Sequence, residues 1–329
     1  MQHGRRRLIG LLGGSLAAAA LPALGQTLRR IGLVHFAGGL MNRGRPGGIA
    51  FLAAMRELGY REGRDYILDE RQWKKQEEVP GIVRDLVRLK TDVIIAAAPP
   101  SIVGAKAVTD KVPIVMMYTA EPVAMGLVRS LNRPGGNLTG LTWDHGFETN
   151  LKALELLKET LPALRRVALI WDATDSVHPV YAGYFEKAAP QLGLVLISAP
   201  LRQTADFEPA FARMREHKAD ALVILPSGQI TIPNAPALLA LAARERLPTL
   251  FSAIAREFPD VLLYYGPNTS SMPRRAAAYV DRLLKGANPA EMPIEQPEKY
   301  DLIVDLRTAR KLGISVPHAV MVRADRVIE

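Results

Sequence analysis

The chain has no cysteine in 329 residues, which removes disulfides, thiolate metal sites, a lipid-attachment thiol and thiol nucleophiles at once. The six histidines, His3, His35, His145, His178, His217 and His318, show no metal-ligand spacing. There is no GxSxG turn, no phosphate-binding loop of the Walker type and no HExxH helix, so three common signatures of catalysis are missing. These gaps lead to the expectation of a non-enzyme, with no catalytic residue, metal or cofactor. Aromatic residues make up only 6% of the chain, so those that stand at strand ends carry weight.

Residues 1–25 differ from the rest. Arg5, Arg6 and Arg7 are followed by an apolar, Ala-rich run from Leu8 to Leu21, and Ala23-Leu24-Gly25 supplies small residues for cleavage. That run falls short of the ~20 residues a membrane span needs, so it reads as an export signal, by the Sec or the Tat route, to the periplasm. Three of the nine net positive charges lie in this segment. The remainder is dispersed among pairs such as Lys74-Lys75 beside Glu77-Glu78, with no basic stripe interleaved with aromatics, which argues against nucleic acid as a partner.

From Ile31 onward, short apolar runs alternate with segments of helical spacing. The pattern predicts strands at Ile31–Phe36, Tyr66–Asp69, Val93–Ala98, Ile114–Tyr118 and Leu138–Trp143, with helices between them, including a short one over Val123–Leu131. From Arg165 the cadence repeats, and each half has a glycine after its first helix (Gly59, Gly193) and an aspartate before its third strand (Asp92, Asp220). The expected fold class is therefore α/β, with two doubly wound parallel-sheet lobes. After strand Val261–Tyr265, a helix over Arg274–Lys285, a segment punctuated by Pro289, Pro293 and Pro297, and a strand Tyr300–Val304 remain. A tail of that kind predicts a return crossing and a multi-strand hinge. Lobe 1 is expected at 26–143 with a returning helix at about 268–290, and lobe 2 at 144–267 with the tail from about 298 to 329.

Open α/β sheets bind ligands at the carboxyl ends of their strands, so two facing lobes enclose a small molecule from both sides. The strand-end breakers Ala37, Gly38 and Ser227 are candidate contacts for that reason. Ser101, heading a helix, and Thr119, ending a strand, suit a carboxylate, although a helix cap or a turn hydroxyl is the plainer role. Glu121, Asp144 and Asp172 suit an ammonium, or simply close turns. Trp143, Trp171, Phe251, Tyr264 and Tyr265 suit a planar ligand or core packing. Strand alternation lets only one of Tyr264 and Tyr265 face the cleft.

The tail also carries a likeness. YYGPN, PRRAAAYVDRLLKGANPAEMPIEQPEKYDLIVDLRTARKLGI and VMVRADRVIE, with NRPGGNLTGLT earlier, resemble an extracytoplasmic solute-binding family of bacterial ABC transporters that includes tryptophan- and tyrosine-binding members. The resemblance implies a type I periplasmic-binding fold, a monomer that closes on a small-molecule solute such as an amino acid or aromatic acid, and an ABC permease with its ATPase subunit as partners. The chain departs from the family pattern at Trp171–Asp175, where an Asn-Pro turn is usual, at Ser252–Leu262, where a glycine-rich turn is expected, and at Glu121-Pro122, where aspartate is the commoner acid. Two other readings stay open: an enzyme on the same scaffold, and a sensory partner of a membrane receptor.

Overall fold

The computed structural model describes residues 28–143, 146–252 and 258–329; the expected export signal lies outside them. Lobe 1 begins β1 (Arg29–Phe36), α1 (Pro46–Glu57), β2 (Tyr66–Trp73), α2 (Val79–Arg88), β3 (Val93–Ala97), α3 (Pro99–Val108), β4 (Ile114–Thr119) and β5 (Leu138–Thr142). Its sheet is parallel throughout, in the order β2-β1-β3-β4-β5. Every residue of β3, β4 and β5 is buried, as continuous apolar runs require when helices cover both faces of a sheet. Gly140 is obligatory in this sheet: it has φ +128°, and a Cβ there would lie 2.4 Å from the Met116 carbonyl oxygen. Beside it the β4–β5 register shifts, so that Thr119 pairs with Thr142 at the strand ends.

Lobe 2 repeats the plan with α4 (Phe147–Thr160), β6 (Arg166–Asp172), α5 (His178–Gln191), β7 (Val195–Leu201), α6 (Phe207–Glu216), β8 (Ala221–Ile224), α7 (Ala235–Arg244), β9 (Thr249–Phe251) and β10 (Leu263–Pro267). The order β7-β6-β8-β9-β10 matches that of lobe 1 strand for strand. The duplication extends to atoms. Asp92 accepts the Arg30 backbone N–H at 2.7 Å, and Asp220 accepts that of Arg166 at 2.7 Å, so each aspartate pins the first strand of its lobe to the third. Gly59 and Gly193 both have positive φ after α1 and α5, the helices that follow the first strand of each lobe.

After β10 the chain returns to lobe 1. α8 (Met272–Leu284) buries Ala276, Tyr279, Val280, Leu283 and Leu284, the face its spacing predicts, in the core that holds Phe51 and Met55 of α1. Its Tyr279 hydroxyl donates to the Pro293 carbonyl at 2.5 Å, and Arg275 is ion-paired with Glu295, which holds the proline segment against lobe 1. That segment runs beside β5, with the Thr142 N–H donating to Glu295 O and the Glu295 N–H to Gly140 O, both at 2.9 Å. β11 (Tyr300–Asp305), α9 (Leu306–Leu312), α10 (His318–Arg323) and β12 (Arg326–Ile328) then complete lobe 2. Three connections therefore join the lobes: the first leaves lobe 1 at Trp143, and the other two lie at 268–271 and 296–299.

Two expectations need correction. Residues 123–131 form turns rather than a helix, because Gly126 takes φ +68° directly after the first turn and the Met125 and Leu127 N–H groups bond back to Glu121 and Pro122. The second sheet is not wholly parallel: β11 pairs antiparallel with β10, and β12, which the strand pattern missed, pairs with β11. Among the described residues no helix is long and apolar enough to cross a membrane.

Candidate ligand-binding cleft

The carboxyl ends of the two parallel sheets face one another. Phe36, at the end of β1, lies 3.8 Å from where a Cβ on Gly228 of lobe 2 would stand, so the lobes approach within van der Waals reach there. Ala120, which follows β4 of lobe 1, is fully buried in the lobe 2 core with Met125 packed against the same core. Glu121 Oε1 sits 2.5 Å from the Cβ position of Gly146 at the N-terminus of α4, where φ of +76° favours glycine. Trp143 packs against the cores of both lobes, donates its indole N–H to the Tyr181 hydroxyl at 2.9 Å, and accepts from the Tyr300 hydroxyl through its carbonyl at 3.3 Å.

On the lobe 1 edge, the backbone is strained where it turns away from the cleft. Ala98 has φ +86° and ψ 152°, a region that belongs almost wholly to glycine, and Tyr118 and Glu121 have φ +55° and +49°. Ser101 is buried in the first turn of α3, and its Oγ accepts the Trp73 indole N–H at 2.8 Å. Phe36 stands edge-on to the same indole at 5.1 Å, so the buried Ser101 and Trp73 back Phe36 where it meets lobe 2. The Thr119 hydroxyl makes only a long 3.4 Å contact with Ala120 O, while its carbonyl accepts the Trp143 N–H at 2.9 Å. Ala37 bonds back to Trp73 O, and Gly38, at φ +82°, leaves room for the Arg45 guanidinium 3.6 Å from its Cβ position. Arg45 is exposed and has no carboxylate partner among the described residues, whereas its neighbour Arg43 pairs with Glu62 and Glu70.

On the lobe 2 edge, the polar side chains are consumed by one another. Asp172 is wholly buried; Oδ1 accepts from the Thr174 N–H (2.8 Å) and hydroxyl (2.6 Å), and Oδ2 accepts from the Ser227 hydroxyl at 2.7 Å. Ser227 Oγ also accepts the Ile230 N–H at 2.9 Å, and Thr231 Oγ1 accepts the Ser227 N–H at 2.6 Å. The Asp172 N–H donates to His178 Nδ1 at 2.9 Å, and His178 Nε2 lies 3.2 Å from the Pro226 carbonyl, which assigns the ring proton to Nε2. Asp172 and Ser227 therefore fix the loop that carries Gly228 instead of presenting free groups to a ligand.

The aromatic candidates divide in the same way. Phe251 is buried in the lobe 2 core against Phe258 and Tyr264, and the Tyr264 hydroxyl exchanges hydrogen bonds with the Phe258 backbone. Neither residue reaches the cleft. Trp171 donates its indole N–H to Ser198 Oγ on the neighbouring strand at 2.9 Å. Tyr265 faces the hinge, stacked near Tyr300 with ring centroids 5.7 Å apart. Asp144 lies outside the described residues. The pairing of Phe36 with Gly228 escaped sequence reasoning, although the Ser227-Gly228 break after a buried strand was the available signal.

Comparison with known proteins places this geometry. The family model described as ABC transporter substrate binding protein matches residues 46–328. A tyrosine-binding protein of Clostridioides difficile (strain R20291) is 22% identical over 267 residues, covering 80% of this chain and 75% of the relative. Among the solved structures that match 92% of this chain, one is in complex with a ligand and another is ligand-free. The ABC domain from Streptococcus pneumonia in complex with L-Trp aligns over all of its own chain with a TM-score of 0.82 and 22% identity. The ligand-free, open structure of a substrate-binding protein with adhesive properties from Clostridium difficile aligns over 99% of its own chain, with a TM-score of 0.67 and 20% identity.

Proposed function

The chain belongs to the ABC transporter substrate binding protein family, and from that premise we propose that it is the periplasmic solute-binding component of an importer. In this reading it is exported by its N-terminal segment, acts as a monomer, closes its lobes on a small molecule and presents the closed form to a permease driven by a separate ATPase. The observation that carries the proposal is the facing of two duplicated sheet edges that meet at Phe36 and Gly228 and are joined by three connections. A solute held by both edges makes more contacts in the closed arrangement, and that differential affinity drives closure. The lobes divide in the proposal at 143–144, with the helix at about 268–290 returned to lobe 1 and the tail from about 298 to lobe 2.

The relatives' ligands, tyrosine and L-Trp, make an amino acid or aromatic acid the favoured solute. The residues offered for it are Ala37, Gly38, Thr119 and Trp143, with the unpaired Arg45 above Gly38 as a carboxylate partner. A thermal-shift series over amino acids, aromatic acids and purines tests this reading. A solute at about 100 times its dissociation constant adds roughly 2.7 kcal/mol of stability, a shift of several degrees. Absence of any shift across the three classes would overturn the proposal, and chemical conversion of a bound solute would replace it with the enzymatic reading.

A further inference from the structure

A cavity of about 460 Å³ opens at the hinge and is lined by Glu148, Thr149, Tyr265, Gln296 and Tyr300. Its size is that of a small-molecule site. Of the strand-end candidates for the solute, Tyr265 lines it, while Phe36, Ser101, Thr119, Asp172 and Ser227 do not. Its walls come from every connection between the lobes: Glu148 and Thr149 stand just after the first, Tyr265 just before the second, and Gln296 and Tyr300 bound the third.

The chemistry of the lining selects one charge. The described lining holds a carboxylate and no cationic side chain. Tyr265 and Tyr300 lean together at 31° to form one aromatic wall. Burial first, and then the Glu155 carboxylate two turns further along α4, push the Tyr265 phenol above its ordinary value, so that ring stays neutral in an anionic setting. A carboxylate beside aromatic rings, with a hydroxyl and an amide, matches an organic ammonium ion, which gains from ring quadrupole and carboxylate together. We propose that this hinge cavity is an ammonium-binding site, separate from the solute cleft, and that its occupancy biases the opening of the lobes. The bias follows because Tyr300 donates its hydroxyl to the Trp143 carbonyl on the first connection, so a molecule against Tyr300 bears on two crossings together.

The test uses the full mature chain and tetramethylammonium chloride, with sodium chloride at equal ionic strength as the control. Tetramethylammonium should raise the melting temperature saturably and sodium should not. Glu148→Gln should weaken the fitted constant at least tenfold, and Gln296→Ala about threefold. Glu159→Gln removes a charge from the same helix outside the cavity and should leave the constant within about twofold. Equal shifts with sodium, or an unchanged constant in Glu148→Gln, would overturn the site. A constant that changes equally in Glu148→Gln and Glu159→Gln would reduce it to general charge screening and overturn it as well. Because the readout is ammonium binding without any solute, failure here leaves the importer reading standing, and a missing solute would leave this site standing.

Discussion

The two lobes share one strand order and even one aspartate-to-backbone clamp, yet their cleft edges are built in opposite ways. Lobe 1 has a helix-end residue at positive φ, Lys90 behind α2, but it also turns its chain at the cleft with three more non-glycine residues at positive φ, Ala98, Tyr118 and Glu121, all at strand ends. In lobe 2 the described non-glycine residues of that kind, Lys218, Arg246 and Asp260, stand behind helices or in a turn before β10, and the cleft edge is instead closed by the Asp172–Ser227–Thr231 network. Charge divides as well: residues 28–143 hold 17 Lys and Arg against 11 Asp and Glu, while residues 144–267 hold 12 against 14, so most of the positive excess after the N-terminal segment belongs to lobe 1. The difference teaches that duplication preserved the frame and let the edges specialise. One edge stores strain and keeps Arg45 unpaired, and the other is a rigid, self-satisfied platform.

The largest test of that contrast falls on the platform. Asp172→Ala leaves the Thr174 N–H and the Ser227 hydroxyl without their buried acceptor, and should cost about 3 kcal/mol in urea unfolding. A loss below ~1 kcal/mol would mean that the lobe 2 edge is not held by this network. Next comes the place where the edges meet. Gly228→Trp should wedge the cleft and lower solute affinity at least tenfold, about 1.4 kcal/mol, with little change in stability. Gly228→Ala should bind normally, since its Cβ would meet Phe36 at an ordinary 3.8 Å. Equal affinity in the tryptophan variant would show that closure does not bring these residues together.

Much of this frame was legible in the sequence. The apolar strands, the Asp92 and Asp220 positions and the returning helix all reflect local patterns that tertiary structure did not override. The edges were harder to read, because a strand-end polar residue looks the same whether it faces a ligand or a neighbour. Asp172 and Ser227 are 55 residues apart and satisfy each other, which no spacing rule announces. Phe251 and Tyr264 were drawn into the core by Phe258, next to residues that carry no clear pattern. The strain at Ala98 was equally hidden, since alanine gives no hint of a conformation that glycine normally supplies.

That strain supplies the third test. Ala98→Gly relieves about 1–3 kcal/mol of backbone strain and returns part of it as greater freedom of the unfolded chain, so a net gain of roughly 1 kcal/mol is expected. Ala96→Gly, in the buried middle of β3, should lose stability by a similar amount. If both glycines destabilise, the lobe 1 edge carries no stored strain and the contrast between lobes narrows to hydrogen bonding alone.

The smallest effect probes what the lobes have in common. Glu70 in lobe 1 is a partly buried carboxylate and Asp305 in lobe 2 a fully buried one. Burial works against their charge, but hydrogen bonds outweigh it: from His35, Gln72 and the Arg43 N–H at Glu70, and from the Arg307 side chain with the Thr308 and Arg307 N–H groups at Asp305. Both are held below their ordinary values, so the unfolded chain binds protons more readily than the folded one. Their stabilisation is complete above the ordinary carboxylate range near pH 4 and is lost as pH falls through the lowered folded values. Urea midpoints measured from pH 7 to pH 3 should therefore fall less steeply for Glu70→Gln and for Asp305→Asn than for the parent chain. If only one variant flattens the acid limb, acid resistance is confined to that lobe; if both do, the lobes share it although Asp305, on β11, lies outside the repeated strands.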